Sequence, residues 1–267
     1  MTRRRRRVAD VRVITRPAPH ASVATLYCFP HAGGAGGEYA RWVAHTQGLR
    51  LAAVQPPGRA HDLKQSALTS MPELVSEILA QVEFTPPFAL FGHSLGALVA
   101  FEVARALQPK PLRLFVSSCP SPALLTNSSS LHLLDDTELH AEIERRWGPL
   151  PAAATSDKEL LTAALACYRA DLQVLETYEY VPGPRLHSPV TAIVGDEEPN
   201  GEAWTEGWRD QTDGGFESSV RPGGHFHTRQ DTEGLVGLLT DTVRSDLIRA
   251  VRDEPSDLTR AGRVMNR

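Results

Sequence analysis

The sequence has few cysteines, no apolar run long enough to cross a membrane and no excess of positive charge. Its three cysteines, Cys28, Cys119 and Cys167, are too widely spaced for a disulfide framework or a cysteine metal cluster. Reduced thiols in the cytoplasm are therefore expected, with no membrane association. A net charge of −4 over 267 residues gives no support to nucleic-acid binding by the chain as a whole.

The two ends of the chain differ in composition from the rest. Arg3 to Arg7 form a basic run, but the apolar stretch of a secretory signal is missing. We therefore expect a basic, flexible tail over residues 1–20, and a polar tail over residues 252–267. Between them, residues 21–251 have the length and composition of one α/β domain.

Short apolar segments alternate with amphipathic segments along most of this domain. The segments "ASVATLYCFP", "LRLAAVQPPGR", "FALFG", "LRLFVSS", "PVTAIVG" and "FESSVRPGG" are typical of strands, the second and last running into a turn or loop, and helices are predicted between them, one beginning at about Glu38. Residues 121–186 interrupt the alternation with two helical regions, one ending at Gly148 and one from about Asp157 to Tyr178. The pattern predicts a mostly parallel sheet with helices on both faces and a helical lid over its carboxyl edge.

Ser94 lies in the motif G-x-S-x-G, between a predicted strand and a predicted helix. In that context the serine occupies a sharp turn that exposes its Oγ, and small flanking residues allow close backbone approach. The alternative is a tight turn in which the serine has no role. The nucleophile is the better interpretation because the other parts of a catalytic site follow along the chain.

A serine needs a base to remove its proton, and His225 is the favoured candidate. It lies in "RPGGHFHT", after the last strand and before the last helix, where the order serine, acid, histidine places the base. His227 is the weaker alternative. His93 and His31 are expected to line the site, and no metal site is expected because further ligands are missing nearby.

The acid is expected after a late strand, where "GDEEP" offers Asp196 and Glu198. The residues alone leave the choice between these two open. Backbone N–H groups of Leu95 and of the loop near Ala32 are the candidates for an oxyanion hole. A phosphate-binding role for the glycine-rich loop "FPHAGGAGG" is the weaker alternative, because it lacks both the G-K-[ST] ending and the G-x-G-x-x-G pattern.

Six segments, "YCFPHAGG", "QPPGR", "GHSLGALVAFEVAR", "YRADLQVLETY", "GDEEP" and "GGHFH", resemble in sequence and order the type II thioesterases of polyketide and nonribosomal peptide synthesis. The similarity covers roughly residues 24–248. It implies an α/β-hydrolase fold with a helical lid, and Ser94 and His225 match that family's nucleophile and base. The family usually has an aspartate where this chain has Glu198, and on this match Glu198 is favoured over Asp196.

The resemblance also implies the reaction. We expect a cytoplasmic serine hydrolase, acting as a monomer without metal or other cofactor, that removes acyl groups from the phosphopantetheine thioester of acyl or peptidyl carrier proteins. Basic lid residues such as Arg145, Arg146 and Arg169 are candidates for carrier docking. The alternatives are a carboxylesterase of small molecules, an acyltransferase with an acceptor other than water, and a carrier-binding module without activity.

Overall fold

A seven-stranded sheet runs through the centre of the computed structural model, which describes residues 10–17, 21–60, 65–126 and 129–253. The strands are β1 (Arg12–Thr15), β2 (Ala24–Phe29), β3 (Leu49–Gln55), β4 (Phe88–His93), β5 (Leu114–Ser117), β6 (Val190–Gly195) and β7 (Phe216–Arg221). Their order across the sheet is β1-β3-β2-β4-β5-β6-β7, and all neighbours are parallel except β1, which is antiparallel to β3.

Helices cover both faces of the sheet. The α-helices are α1 (Met71–Gln81), α2 (Leu95–Ala106), α3 (Asp136–Trp147), α4 (Ala152–Thr155), α5 (Lys158–Glu176), α6 (Gly201–Glu206), α7 (His227–Gln230) and α8 (Thr232–Asp253). Successive residues of one strand belong to opposite faces: Leu90 packs with α1 and α2, whereas Phe91 packs with α8. The predicted α/β-hydrolase architecture, with a mostly parallel sheet between two helical layers, is confirmed.

The lid lies between β5 and β6, where the predicted helices are present. Helix α3 begins after Asp135, whose carboxylate accepts hydrogen bonds from two backbone N–H groups of the first turn, and ends at Gly148 with a φ of 85°. Asp157 caps α5 in the same way. Apolar side chains from α3, α5 and the 3₁₀-helix Leu131–Leu133 form a small core of their own.

Two segments differ from expectation. The helix predicted from about Glu38 is a 3₁₀-helix, Gly36–His45, that buries Tyr39 and Trp42 against the sheet. Residues Arg12–Thr15, expected within a flexible tail, form the edge strand β1, because their backbone pairs with β3. The strand is mostly exposed and has no clear alternation of apolar residues. Its extended conformation therefore depends on pairing with β3 and could not be predicted from its own sequence.

The terminal tails fall largely outside the described residues. The basic run Arg3 to Arg7 and residues 254–267 belong to those parts of the chain, whereas α8 extends to Asp253, two residues beyond the predicted end of the domain. Within the described ranges, no helix combines the length and apolar character needed to span a bilayer.

Candidate active site

Ser94 occupies a sharp turn between β4 and α2. Its φ of 54° and ψ of −123° lie in a region that L-residues rarely adopt, and its backbone N–H donates to the carbonyl of Ser117 over 2.8 Å. A Cβ on Gly92 would lie 2.1 Å from the carbonyl oxygen of Gly96, and one on Gly96 would lie 2.2 Å from that of Phe29. Both glycines of the motif are therefore required by close backbone contact, and the turn presents the Ser94 side chain at the carboxyl edge of the sheet.

His225 and Glu198 form a hydrogen-bonded pair near this turn. His225 Nδ1 lies 2.9 Å from Glu198 Oε1, and since an ionised carboxylate only accepts, Nδ1 carries the hydrogen and donates. The Glu198 side chain is 4% exposed and the His225 ring 20% exposed, so the acid is buried while the ring reaches the cavity. This bond fixes the tautomer of His225 and leaves Nε2 available to accept a proton.

The other candidate acid, Asp196, has a different environment. Its Oδ1 accepts a hydrogen bond of 2.8 Å from the backbone N–H of Gly223, and its side chain is exposed. This bond links the loop after β6 to the loop that carries His225. The geometry therefore pairs Glu198 with the histidine and gives Asp196 a contact with the backbone alone.

Ser94 and His225 line one cavity together with Ala32 of the glycine-rich loop. Their side chains are not hydrogen bonded to each other in the described structure. Trp147 of α3 and Tyr168 of α5, both in the lid, also line this cavity, whose volume is about 20 Å³. A space of that size holds about one water molecule.

Two backbone N–H groups, those of Ala32 and Leu95, lie next to Ser94. Leu95 is the first residue of α2, where backbone N–H groups have no partner within the helix. Neither N–H donates to any other group in the described part of the chain. The carbonyl of Ala32, in contrast, accepts from His31 Nδ1 at 2.8 Å. Both N–H groups therefore remain candidates for an oxyanion hole.

His227 does not reach the cavity. Its ring is fully buried, and its Nε2 lies 2.9 Å from Ser117 Oγ, which also lies 2.9 Å from His93 Nδ1. Burial is the main cause that lowers the pKa of His227 to about 4 and holds the pKa of His93 well below its ordinary value. Ser117 and His227 form a serine–histidine pair, but neither side chain is accessible to a substrate, so the pair is structural.

Ser117 was not singled out from the sequence, although it contacts both halves of the site. It is paired with His93 in the register of β4 and β5, its carbonyl binds the Ser94 N–H, and its hydroxyl binds His227. A serine at the end of a predicted strand is the only signal that the sequence contains. Asp171, in the segment "YRADLQVLETY", is a second residue near the site that was not singled out, and it contacts the glycine-rich loop.

The three arginines predicted to dock the carrier differ in their hydrogen-bond partners. Arg145 and Arg146 both bind Glu142 on the surface of α3, and their hydrogen bonds lower the pKa of Glu142 to about 2. Arg169 instead binds Asp136 and donates to the carbonyl of His132, inside the lid. The contacts of Arg169 therefore connect parts of the lid, whereas Arg145 and Arg146 bind only a carboxylate of their own helix.

Comparisons with known proteins identify a family. The thioesterase domain family model matches residues 24–243. The thioesterase PikA5 of Streptomyces venezuelae is 35% identical over 234 residues, which cover 84% of this chain and 82% of that protein.

Two solved structures are also similar. The type II thioesterase BorB from the borrelidin biosynthetic cluster superposes with a TM-score of 0.75 at 32% identity, over 87% of this chain and 96% of that one. YbtT, a type II thioesterase from the yersiniabactin NRPS/PKS pathway, has a TM-score of 0.72 at 27% identity, over 88% of this chain and 98% of that one.

Proposed function

The chain belongs to the thioesterase family and is a thioester hydrolase, and we propose that Ser94, His225 and Glu198 are its catalytic triad. The observation that supports this assignment is the pairing of a buried carboxylate with His225 in the cavity that Ser94 enters. The substrate class proposed is an acyl group bound as a thioester to the phosphopantetheine arm of an acyl or peptidyl carrier protein. Its hydrolysis frees a carrier from an acyl group that the synthase cannot use.

In the first half of the reaction, Ser94 Oγ attacks the thioester carbonyl carbon while His225 Nε2 takes the hydroxyl proton. The carbonyl oxygen becomes an oxyanion, and the N–H groups of Ala32 and Leu95 donate to it. Glu198 stabilises the imidazolium without taking its proton. The intermediate then collapses, the C–S bond breaks, and His225 returns the proton to the leaving pantetheine sulfur.

In the second half, a water molecule enters the space that the thiol has left. His225 Nε2 removes a proton from this water as its oxygen attacks the acyl carbon of the ester on Ser94. A second oxyanion forms in the same hole, and its collapse returns the proton from His225 to Ser94 Oγ. The products are the free acid and the unloaded carrier, and the residues recover their initial protonation states.

The lid has to move for an acyl chain to reach Ser94. The cavity of about 20 Å³ holds no more than about one water, so a chain of several carbons enters only after Trp147 or Tyr168 is displaced. These residues border the acyl group and set the width of its channel. We propose that the enzyme acts as a monomer, in the cytoplasm where carrier proteins are loaded.

Carrier docking is proposed at the exposed face of α3. Arg145 is 64% exposed and Arg146 is 38% exposed, and they share only one carboxylate partner, Glu142. These two arginines lie in the last turn of a helix that also carries Asp136, Glu138, Glu142 and Glu144, and they are the proposed contacts with an acidic partner.

Hydrolysis of acyl-carrier proteins, matching small thioesters and simple esters by purified wild type and Ser94→Ala tests the proposal. Wild type is expected to prefer the carrier-bound thioester and to form an acyl-enzyme that intact-mass measurement detects. Ser94→Ala is expected to keep the fold, form no acyl-enzyme and lose nearly all turnover.

Three outcomes would contradict the proposal in different ways. A preference for simple esters would make the protein a carboxylesterase. Transfer of the acyl group to an added alcohol or amine in preference to water would make it an acyltransferase. Near wild-type turnover by Ser94→Ala would remove Ser94 from the mechanism.

A further inference from the structure

The glycine-rich loop next to Ser94 is held by a residue of the lid. The Oδ2 atom of Asp171, on α5, accepts a hydrogen bond of 2.7 Å from the backbone N–H of Gly33. The same carboxylate forms two hydrogen bonds with Arg59, of 2.7 and 3.0 Å, and Arg59 Nη1 also donates to the carbonyl of Gly34 over 2.9 Å. Residues from three distant parts of the sequence therefore meet at two adjacent glycines.

This contact is buried and charged. The side chains of Arg59 and Asp171 are 5% and 4% exposed. Burial opposes the charge on Arg59, but the carboxylate of Asp171 outweighs it and raises the pKa of the guanidinium above its ordinary value. Either charge alone would be destabilising in this buried position, so the two side chains depend on each other. The loop is therefore bound to an ion pair whose geometry depends on the position of α5.

The backbone of the loop is fixed at the peptide that follows Ala32. The carbonyl of this peptide accepts from His31 Nδ1, and its N–H, which belongs to Gly33, donates to Asp171. Gly33 has a φ of 73°, and a Cβ there would lie 2.2 Å from the ring of Tyr168, one helical turn before Asp171 on α5. With this peptide plane held at both ends, the direction of the Ala32 N–H, one peptide earlier, is restricted as well.

We propose that Asp171 is a positioning residue for the oxyanion hole: from the lid, it fixes the loop that presents the Ala32 N–H to the reacting carbonyl. The inference rests on the proposed roles of Ser94 and Ala32. This role couples the oxyanion hole to the lid. A movement of α5 that widens the cavity either displaces Gly33 or breaks the hydrogen bond between its N–H and Asp171. The hole is then complete only when the lid has returned over a bound acyl group.

The test removes the bonds to the loop without leaving a buried charge. The double variant Arg59→Met/Asp171→Leu replaces the ion pair by apolar side chains of similar volume, a change that proteins often tolerate. We expect it to stay folded, with kcat lowered on the order of 10²-fold and KM changed little, because the loss falls on the transition state. Affinity for an alkyl trifluoromethyl ketone, whose adduct with Ser94 carries an oxyanion, is expected to fall in parallel, whereas affinity for the corresponding alkyl amide is not.

Glu176→Gln is the matched control on the same helix. The Glu176 carboxylate accepts from the backbone N–H groups of Leu131 and His132, within the lid, and does not touch the glycine-rich loop. This variant loosens the lid but is expected to keep kcat and ketone affinity within about twofold of wild type, well short of the loss expected for a misplaced oxyanion donor. Arg59→Gln/Asp171→Leu is the second test variant. It also removes the carboxylate without leaving a buried charge, and it is to be used if the first double variant does not fold.

Each outcome has one meaning. Wild-type kcat and ketone affinity in a folded Arg59→Met/Asp171→Leu variant, or in Arg59→Gln/Asp171→Leu if the first does not fold, would overturn the inference. Equal losses in Glu176→Gln would also overturn it, since they would come from the lid in general. If Ser94→Ala still hydrolysed the substrate, the proposed function itself would fail, independently of what the Asp171 variants show.

Discussion

Acidification is expected to destabilise the protein through His227, which is buried beneath the loop of the proposed base. Burial lowers the pKa of its ring to about 4, against an ordinary value of 6.5. Between these two pH values the unfolded chain binds a proton at this histidine that the folded chain does not bind. The free energy of unfolding therefore rises with pH across this window and falls as the solution is acidified.

The magnitude follows from the two pKa values. Each pH unit between them corresponds to about 1.4 kcal/mol, so full protonation costs about 3 kcal/mol of stability. Between pH 8 and pH 5, where the folded ring is still neutral and the unfolded one is charged, the expected loss is about 2 kcal/mol. His93 acts in the same direction, because its pKa is also lowered by burial.

Urea unfolding of wild type, His227→Phe and His187→Gln at pH 8 and pH 5 measures this loss. Phenylalanine keeps a ring at position 227 but cannot titrate, so the decrease in unfolding free energy between the two pH values is expected to be smaller by about 2 kcal/mol. His187 is exposed, so solvent surrounds its ring in the folded and unfolded chain, and His187→Gln is expected to behave as wild type. An equal decrease in wild type and His227→Phe would refute the reasoning.

Three further predictions concern the acid, the docking face and the elbow. Glu198→Gln is expected to lower kcat by up to about 10⁴-fold, whereas Asp196→Asn stays close to wild type in steady-state assays; the reverse ranking would make Asp196 the acid. Arg145→Glu should raise KM for carrier-bound substrates and spare small thioesters, and an equal effect on both would contradict docking there. Gly96→Ala should lower the unfolding free energy by about 1–3 kcal/mol, because its Cβ meets a backbone oxygen. Gly37→Ala, with open space around its Cβ, is the control in the same urea titration, and equal losses would discount the clash.

Local patterns were sufficient to predict the fold and the elements that carry the proposed site. The strand before Ser94 is wholly buried and apolar as far as Gly92, and the helix after it has an apolar run, so the turn between them was visible in the sequence. The helices of the lid were visible from their capping residues Asp135 and Asp157. Periodicity and capping operate over one or two turns, which is the range that a single sequence reveals.

Beyond the serine, histidine and acid of the expected catalytic site, contacts between distant segments were not predicted. Ser117 and His227 are 110 positions apart, and Arg59 and Asp171 are 112 positions apart. Their pairing depends on strand order, on the register of β5 and on where α5 crosses the glycine-rich loop, none of which leaves a periodic signal. The 3₁₀ geometry of Gly36–His45 was missed for a related reason, since packing against the sheet determines it.

The small cavity in front of Ser94 means that an acyl group can reach the serine only during the periods when the lid is open. A cavity of this size admits about one water, so we expect lid opening to limit the rate at which any acyl group reaches Ser94. An acyl group that the synthase consumes quickly is gone before an opening occurs, whereas one that remains on its carrier is present when the lid opens. Discrimination between useful and blocked carriers then depends on dwell time on the synthase, and a lid that opened more often would hydrolyse useful intermediates as well.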